Sequence, residues 1–442
     1  MVKRYSSKYN YVNQINGEVI IYNSKTGQII SLENEKVTVD DFKAGKRIEN
    51  KIDAHIEKYL FDNGFIVYDL ENEMKEVISQ YQQVVEKKEL FLEILPTEQC
   101  NFRCIYCYEK FERNFMDKGN INNLIEFVRR QIRGCSALRI VWFGGEPLIA
   151  IDIIQEVTEK FLKICSKERI PYFASISTNG YLLTPDIWKK LKKCHICNFQ
   201  ITVDGLENVH DKQRVLLNGK STWKNIINNL CYIRDETKTN MINIMIRTNI
   251  TKEIYNQRDE YIEFLANQFG NDCRFSFFFH LVEDWGNIGQ EVKDKFCTVE
   301  NFFEVLELAA AKKLPLDVFR FFLLPESRVC FAGREKAFVI TSDGKIRKCS
   351  QRLYDEKNYI GNLDNNTGEN INIKENPYKK ELMKECKECP KLPLCFGLVC
   401  PAYSGNVTDT CGYDLSDINR LIKILYQTNH EVIIKIEDKV GE

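Results

Sequence analysis

Between Leu90 and Leu281 the sequence alternates strand-like runs with amphipathic helical stretches, and this rhythm constrains the fold more than any other feature. The runs are Leu90–Leu95, Leu138–Phe143, Tyr172–Ser177, Phe199–Val203, Ile242–Ile250 and Arg274–Leu281. Six such units predict a parallel sheet that curls, with helices outside, and right-handed crossovers make it an open or partial barrel. The expected core is therefore α/β, a partial (β/α)6 barrel over residues 89–325.

The flanks follow other patterns. From Tyr9 to Leu32 short alternating segments separated by Asn-Gly and Thr-Gly turns predict a small antiparallel sheet. Helical spacing follows over Val37–Phe42 and Lys51–Asn63, and Gly64-Phe65-Ile66-Val67 reads as a closing strand. Glu71–Lys88 lacks turn punctuation and predicts a helical linker, so a first domain with its linker covers residues 1–88. After Pro325 the alternation gives way to clustered cysteines, and residues 326–442 read as a ligand-held domain. Within it Asp414–Leu425 predicts a short helix and Val432–Ile436 a strand.

Charge and targeting signals narrow the function classes. Sixty-two Lys and Arg against 63 Asp and Glu leave a net charge of −1, which predicts neither a nucleic-acid nor a membrane-surface partner. Met1–Gln14 lacks the apolar segment of a secretory signal, and no stretch approaches the ~18 apolar residues of a membrane span. The expected location is cytoplasmic, where thiols stay reduced. The 17 cysteines, beside only five histidines, accordingly read as ligands or catalytic groups rather than as disulfides.

Directly after the first strand comes Pro96-Thr97-Glu98-Gln99-Cys100-Asn101-Phe102-Arg103-Cys104-Ile105-Tyr106-Cys107, a C-x3-C-x2-C triplet. Three thiolates can hold a four-iron cluster and leave one iron open to a small molecule. A zinc site is the alternative, but zinc takes four ligands and no fourth Cys or His lies close by in sequence. Three buried cysteines are a further reading. The position at the carboxyl end of a strand, where ligand sites in α/β folds collect, favours the cluster.

With its aromatic residue, the pattern Cys100, Cys104, Tyr106 and Cys107 resembles the signature of the radical SAM superfamily. The resemblance implies a [4Fe-4S] cluster whose open iron chelates the amino and carboxylate groups of S-adenosylmethionine. An electron from that cluster would cleave the sulfonium and yield a 5′-deoxyadenosyl radical. Trp142-Phe143-Gly144-Gly145-Glu146-Pro147 resembles the family segment that binds the methionine amino group, which implicates Gly144, Gly145 and Glu146, although alone it could be an ordinary turn. Ser177-Thr178-Asn179-Gly180 and Thr202-Val203-Asp204-Gly205 resemble segments near the ribose and methionine ends, and so implicate Ser177, Asn179 and Asp204. Arg247 could pair with the methionine carboxylate, because a guanidinium matches carboxylate geometry; a solvated strand-end arginine is the alternative.

The later cysteines have their own spacing. Cys330-x13-Gly344-x4-Cys349, then Cys386-x2-Cys389-x5-Cys395-x4-Cys400, then Cys411 resemble the SPASM extension of peptide- and protein-modifying radical SAM enzymes. One interval departs from the usual pattern, since Phe396–Val399 puts four residues where three are usual. The resemblance assigns Cys386, Cys389, Cys395 and Cys411 to one auxiliary [4Fe-4S] cluster and Cys330, Cys349 and Cys400 to a second that is one ligand short. By spacing alone, Cys386–Cys400 reads as a zinc knuckle. The remaining seven, Cys135, Cys165, Cys194, Cys197, Cys231, Cys273 and Cys297, read mainly as core residues, one of which could complete the second cluster. Cys194-His195-Ile196-Cys197 mimics a redox C-x-x-C but reads as packing.

In pattern and position residues 1–85 resemble the winged-helix recognition element of enzymes that mature ribosomally made peptides (RiPPs). Such an element captures a leader peptide by strand addition; a structural cap is the alternative. DNA binding is disfavoured because Asp40, Asp41, Glu49, Asp53 and Glu57 interrupt the basic residues. The combined expectation is a radical SAM/SPASM oxidoreductase that matures a precursor peptide bound through its leader and draws electrons from a flavodoxin or ferredoxin. A thioether from cysteine is the first choice of product, with carbon–carbon crosslinking or anaerobic sulfatase maturation as alternatives. A non-catalytic iron–sulfur carrier or zinc-binding interaction protein is the rival from another class. No residue is singled out to take the substrate proton.

Overall fold

The computed structural model describes residues 3–33, 38–50, 52–236, 241–285, 289–364, 375–379, 381–398, 400, 412, 415–428 and 430–437. The chain forms two compact units, neither of them contiguous. One comprises Met1–Glu86, Asp317–Phe331 and Lys379–Glu442; the other comprises Lys87–Leu316 and Ala332–Tyr378.

The first unit is built on strands β1 (Tyr5–Ser6), β2 (Asn10–Ile15), β3 (Glu18–Asn23), β4 (Ile29–Glu33) and β5 (Ile66–Val67). β2, β3 and β4 form an antiparallel meander, and β1 pairs with β5. Asn16 and Gly17 both have positive φ (52° and 88°), as a tight hairpin turn between twisted strands requires. One face of the meander contributes Val19, Ile21, Ile30 and Leu32 to a core with Phe42, Ile56, Leu60 and Phe65. The helix Ala54–Asp62 enters that core after Asp53 caps its first turn by accepting from His55 N. β3 is buried on both faces, and the Tyr22 hydroxyl donates to Leu323 O at 2.6 Å.

Two features of this unit were not foreseen. The strand Ile433–Glu437 pairs in parallel with β4, so the sheet order runs Ile433–Glu437, β4, β3, β2. The helix Leu70–Val85 is also more than a linker, because it buries Val77, Val84 and Val85 against Tyr9, Leu392, Phe396 and Leu398. The N-terminal segment and the late cysteine run therefore share one core.

The second unit contains β6 (Glu89–Ile94), β7 (Phe102–Cys104), β8 (Ala137–Trp142), β9 (Tyr172–Thr178), β10 (Ile196–Thr202), β11 (Arg214–Leu216), β12 (Asn243–Ile250) and β13 (Phe275–Leu281). β6, β8, β9, β10, β12 and β13 are the six predicted runs, and they form one parallel sheet in that order. Intervening helices include Ile151–Glu168, Pro185–Lys193, Trp223–Glu236 and Arg258–Phe269. Pro185–Lys193 shows how sequence sets a start: Thr184 accepts from Ile187 N, and Pro185 occupies the first turn, where its missing N–H costs nothing.

Beyond β6 the sheet continues through β14 (Ala337–Ile340), parallel to β6, and then antiparallel β15 (Lys345–Arg347) and β16 (Tyr359–Asn362). All four residues of β14 are buried, and they cover an edge of β6 that would otherwise expose unpaired main-chain groups. Residues 332–378 thus fold with the parallel sheet, although the loss of alternation after Pro325 had grouped them with the cysteine-rich end. Among the described residues no helix is long and apolar enough to cross a membrane.

The β14–β15 turn depends on Gly344, whose φ is +78° and where a Cβ would lie 2.4 Å from Asn120 Oδ1. Gly344→Ala should cost about 1–3 kcal/mol in chemical denaturation. Adding Asn120→Ala should recover only the steric part of that loss and leave the backbone part.

Candidate active site

The cysteine triplet is held at the carboxyl end of the parallel sheet by a short ladder. β7 pairs antiparallel with β11, with Arg214 opposite Cys104 and Leu216 opposite Phe102. Ile105 N extends the ladder to Gln213 O at 3.0 Å, and Cys107 N closes a turn on Cys104 O at 3.1 Å. Gln99 Nε2 donates to Phe111 O (2.8 Å) and Arg113 O (3.0 Å), which ties the segment before the triplet to the segment after it. Buried Glu98 pairs with Arg113, which also reaches Asp343 at 3.1 Å.

Cys100, Cys104 and Cys107 line one cavity of about 210 Å³. Gly144, Gly145, Ser177, Asn179, Tyr106 and Arg247 line it too, so the structure brings six of the eight expected cofactor contacts together. Glu146 and Asp204 stand behind the wall, and their carboxylates are engaged internally. Glu146 Oε1 accepts from Thr178 Oγ1 (2.7 Å) and Leu148 N (3.0 Å), while Oε2 accepts from Asn179 N (2.7 Å). Burial raises the Glu146 carboxyl above its ordinary range, and these three donors pull it back.

Asp204 centres a second brace. It bonds the Tyr106 hydroxyl, accepts from Asn249 N at 2.7 Å and lies 3.5 Å from Arg214 Nη1. Arg214 Nη1 in turn donates to the Tyr106 hydroxyl at 2.6 Å. Asp204 N donates to His210 Nδ1 at 3.1 Å, so that nitrogen carries a lone pair, and burial lowers the affinity of His210 for a second proton. The signature aromatic Tyr106 is thereby fixed between a buried anion and a buried cation. Sequence reading missed Arg214, whose only local signal is a polar residue opening a short Arg-Val-Leu run. It also missed the cavity wall formed by Gln200, His280, Glu283, Trp285 and Gln351. His280 had a readable signal: it is a polar residue near the carboxyl end of Phe275–Leu281, a run that is apolar apart from it and Ser276.

The two glycines are required chiefly by the chain itself. A Cβ on Gly144 would lie 2.4 Å from Thr97 O, and one on Gly145 would lie 2.4 Å from Glu98 O and 2.5 Å from Gln99 O. Gly144 also has φ +108°, a conformation open to glycine and strained for other residues. The Gly-Gly backbone is consequently the seat on which the loop before Cys100 rests.

The thiols fit a group that brings positive charge. Burial raises all three, with Cys107 pushed up to about 12; neighbouring carboxylates and thiols add to this at Cys100 and Cys107, whereas at Cys104 the Arg214 guanidinium works against it. They stay protonated unless cations offset the penalty, as irons bound to thiolates do. Among the described residues no three His, Cys, Asp or Glu side chains converge as ligands of one metal ion would. Thiolates that bind separate irons of a cluster stand farther apart than ligands of one ion.

Of the later cysteines, Cys386 and Cys395 are buried and Cys389, Cys330 and Cys400 half-buried. A turn at Phe396 and Gly397, both of positive φ, folds the chain back so that a Cβ on Gly397 would lie 3.5 Å from Cys386 Sγ. Tyr11, on β2, has a buried hydroxyl that finds no hydrogen-bond partner among the described residues. Burial and the nearby thiols of Cys389 and Cys395 raise its pKa. Cys349 is buried in the other unit, where its N–H donates to Asn358 Oδ1 at 2.9 Å. Cys411 lies outside the described residues. Of the seven unassigned cysteines, Cys135, Cys165 and Cys194 are buried and Cys231 and Cys297 half-buried. Cys273 is exposed, and so is Cys197, which corrects the reading of Cys197 as a packing residue. Cys197 falls at the register shift between Ile196 and Asn198 in β10, beside exposed Asn198.

Residues 94–265, which include β8, β9, β10 and β12 of the parallel sheet, match the Radical SAM superfamily. The radical SAM cyclopropyl synthase TigE of Paramaledivibacter caminithermalis is 23% identical over 256 residues, 53% of this chain and 53% of that protein. The chain thus matches about half the length of that relative. The cysteine-type anaerobic sulfatase-maturating enzyme of Clostridium novyi is 26% identical over 347 residues, 70% of this chain and 87% of that one. In fold, the chain superposes on anSMEcpe with bound AdoMet and Kp18Cys peptide with a TM-score of 0.59 at 16% identity, covering 76% of this chain and 97% of that one.

Gly145→Ala should displace the Glu98–Gln99 backbone and weaken S-adenosylmethionine binding at least about tenfold in equilibrium dialysis of reconstituted protein, a loss of roughly 1.4 kcal/mol. A pH effect is expected at Glu93 on β6, where burial, partly offset by a Ser350 hydrogen bond, moves the carboxyl from 4.5 to about 7. The folded state holds this proton more tightly than the unfolded chain, so the stabilisation is complete below pH 4.5 and is lost as pH rises through 7. Glu93→Gln should remove this loss, on the order of 3 kcal/mol, in unfolding measured across that range.

Proposed function

We propose that the protein is a radical S-adenosylmethionine enzyme that modifies a ribosomally made precursor peptide. The observation that carries the reading is the cavity, which Cys100, Cys104 and Cys107 line together with Gln200, His280, Glu283, Trp285 and Gln351. Cys100, Cys104 and Cys107 would hold a [4Fe-4S] cluster, which with bound S-adenosylmethionine supplies a 5′-deoxyadenosyl radical for hydrogen abstraction. The chain's own part is to place these groups. Gly144, Gly145, Ser177, Asn179 and Arg247 contact the cofactor, and the Tyr106–Asp204–Arg214 brace keeps the cysteine loop rigid. The later cysteines hold auxiliary iron–sulfur clusters, and a flavodoxin or ferredoxin supplies electrons.

A peptide substrate is supported by two relatives, one named for maturing sulfatases and one crystallised with a cysteine-containing peptide. Thioether formation from a cysteine of the precursor is the favoured bond, and carbon–carbon crosslinking is the alternative. Sulfatase maturation is a second reading, favoured by the alignment over 87% of the Clostridium novyi enzyme.

Anaerobic reconstitution should yield roughly twelve irons per chain if three four-iron clusters form. With S-adenosylmethionine and dithionite the protein should release 5′-deoxyadenosine. The Cys100→Ala, Cys104→Ala, Cys107→Ala triple variant should release none, whereas unchanged release would place the chemistry elsewhere. Thioether formation predicts that a cysteine-containing precursor loses two hydrogens together with its alkylatable thiol. Turnover of a sulfatase-derived peptide, with no turnover of a leader-bearing one, would select the second reading.

A further inference from the structure

β4 has β3 on one side, and on the other it carries a strand from the far end of the sequence. Ile433–Glu437 runs parallel to it, from Ile433 opposite Ile29 to Glu437 opposite Glu33. An exposed edge offers its main-chain groups to any extended segment, and side chains at alternate positions select which segment fits. Here the selection is visible. Ile434 and Ile436 share the face of Ile30 and Leu32, and Ile436 packs against the core of Val19, Ile21 and Phe42. Lys435 takes the opposite face, next to Ser31, and approaches Glu18 Oε1 at 3.5 Å. Glu18 also accepts from the Ser31 hydroxyl, so β3, β4 and the added strand meet at one anionic point.

The hold is light compared with that of the preceding helix. Ile418–Thr428 buries Ile418, Leu421, Ile422, Ile424, Leu425 and Tyr426, whereas of Ile433, Ile434, Lys435 and Ile436 only Ile433 is buried and Ile434 is 45% exposed. The helix can therefore stay in place when the strand leaves. We propose that the β4 edge is a docking site for an extended peptide supplied in trans, and that Ile433–Glu437 is an internal stand-in which that peptide displaces. The segment it fits runs parallel to β4, with aliphatic residues two apart on the core face and a basic residue between them facing Glu18. That this peptide is part of the substrate rests on the function proposed above; the exchange at the edge does not.

The test uses a fluorescent peptide with the sequence of residues 430–437, the full chain, a variant ending at Thr428, and full-length Ile436→Asp, which keeps the strand attached but unable to pack. If the strand occupies the edge in at least about nine molecules in ten, probe affinity in the full chain falls at least about tenfold. Both variants should therefore bind the probe at least tenfold more tightly than the full chain. A probe carrying Asp at both core-facing isoleucines should bind none of the three. Equal affinity for all three proteins overturns the proposal, as does absence of binding to variants that keep native circular dichroism. If truncation unfolds the chain, the Ile436→Asp comparison alone decides. Release of 5′-deoxyadenosine is measured in parallel, so that a failure of the radical reading is seen separately from a failure of strand exchange.

Discussion

The backbone of Thr97–Gln99 lies so close to Gly144 and Gly145 that neither position has room for a Cβ, and the rest of the cavity follows from this contact. Carbonyls that would stand 2.4 Å from any Cβ leave no room for side chains, so the loop after β6 must lie flat on the loop after β8. That fixes where Cys100 begins. The ladder between β7 and β11 then sets the course of the chain to Cys104, and the turn at Cys107 completes the triplet. Glu146, adjoining the glycines, binds Asn179 N and the Thr178 hydroxyl, which locks the end of β9 to the same seat. Three strand ends are thereby brought into register by main-chain packing and one buried carboxylate.

Charge is arranged with the same economy. The buried Asp204–Arg214 pair would be a doubtful source of stability by itself, since removing two charges from water costs as much as their attraction returns. Its value here is directional. Tyr106 has a hydroxyl bonded to both ions, and Asn249 donates to Asp204 through its backbone and to Tyr106 through its side chain at 3.2 Å. A tyrosine so held cannot swing into the cavity, and the backbone between Cys104 and Cys107 cannot relax. Burial disfavours the thiolate forms of Cys104 and Cys107, so the brace rather than charge on the sulfurs sets the course of the loop.

What the sequence disclosed depended on the range of the interaction. The six parallel strands were legible because each is a local apolar run between amphipathic helices, and the cysteine triplet was legible because its spacing is local too. β14 was not, since Ala337–Ile340 is a four-residue run among glycines and cysteines whose meaning comes only from the open edge of β6. Arg214 was hidden for a related reason: it faces Cys104 through strand pairing, which leaves no periodic trace. Glu146 and Asp204 were legible as important positions, but their direction was not. A motif records that a carboxylate is needed, and only packing shows whether it faces the cavity or its scaffold. Cys197 shows the converse error, since residue type alone does not reveal the register shift that exposes it in β10.

The first unit carries a different lesson about cysteine-rich segments. Such segments are commonly held together by their ligands, yet here Cys386 packs with Leu392, Phe396 and Leu398 against Tyr9 and the helix Leu70–Val85. The cysteine run thus borrows a core from the N-terminal sheet and helix. Ligand binding to Cys386, Cys389 and Cys395 would then stabilise that shared core by mass action, because a group that binds the folded state alone shifts the folding equilibrium toward it. The coupling also runs the other way. β2 carries Tyr11 beside Cys389 and Cys395, so an intact meander helps to hold those thiols in their buried setting. Sheet and cysteine run are therefore best regarded as one cooperative body, and occupancy of the cysteines bears directly on the sheet whose outer edge Ile433–Glu437 covers.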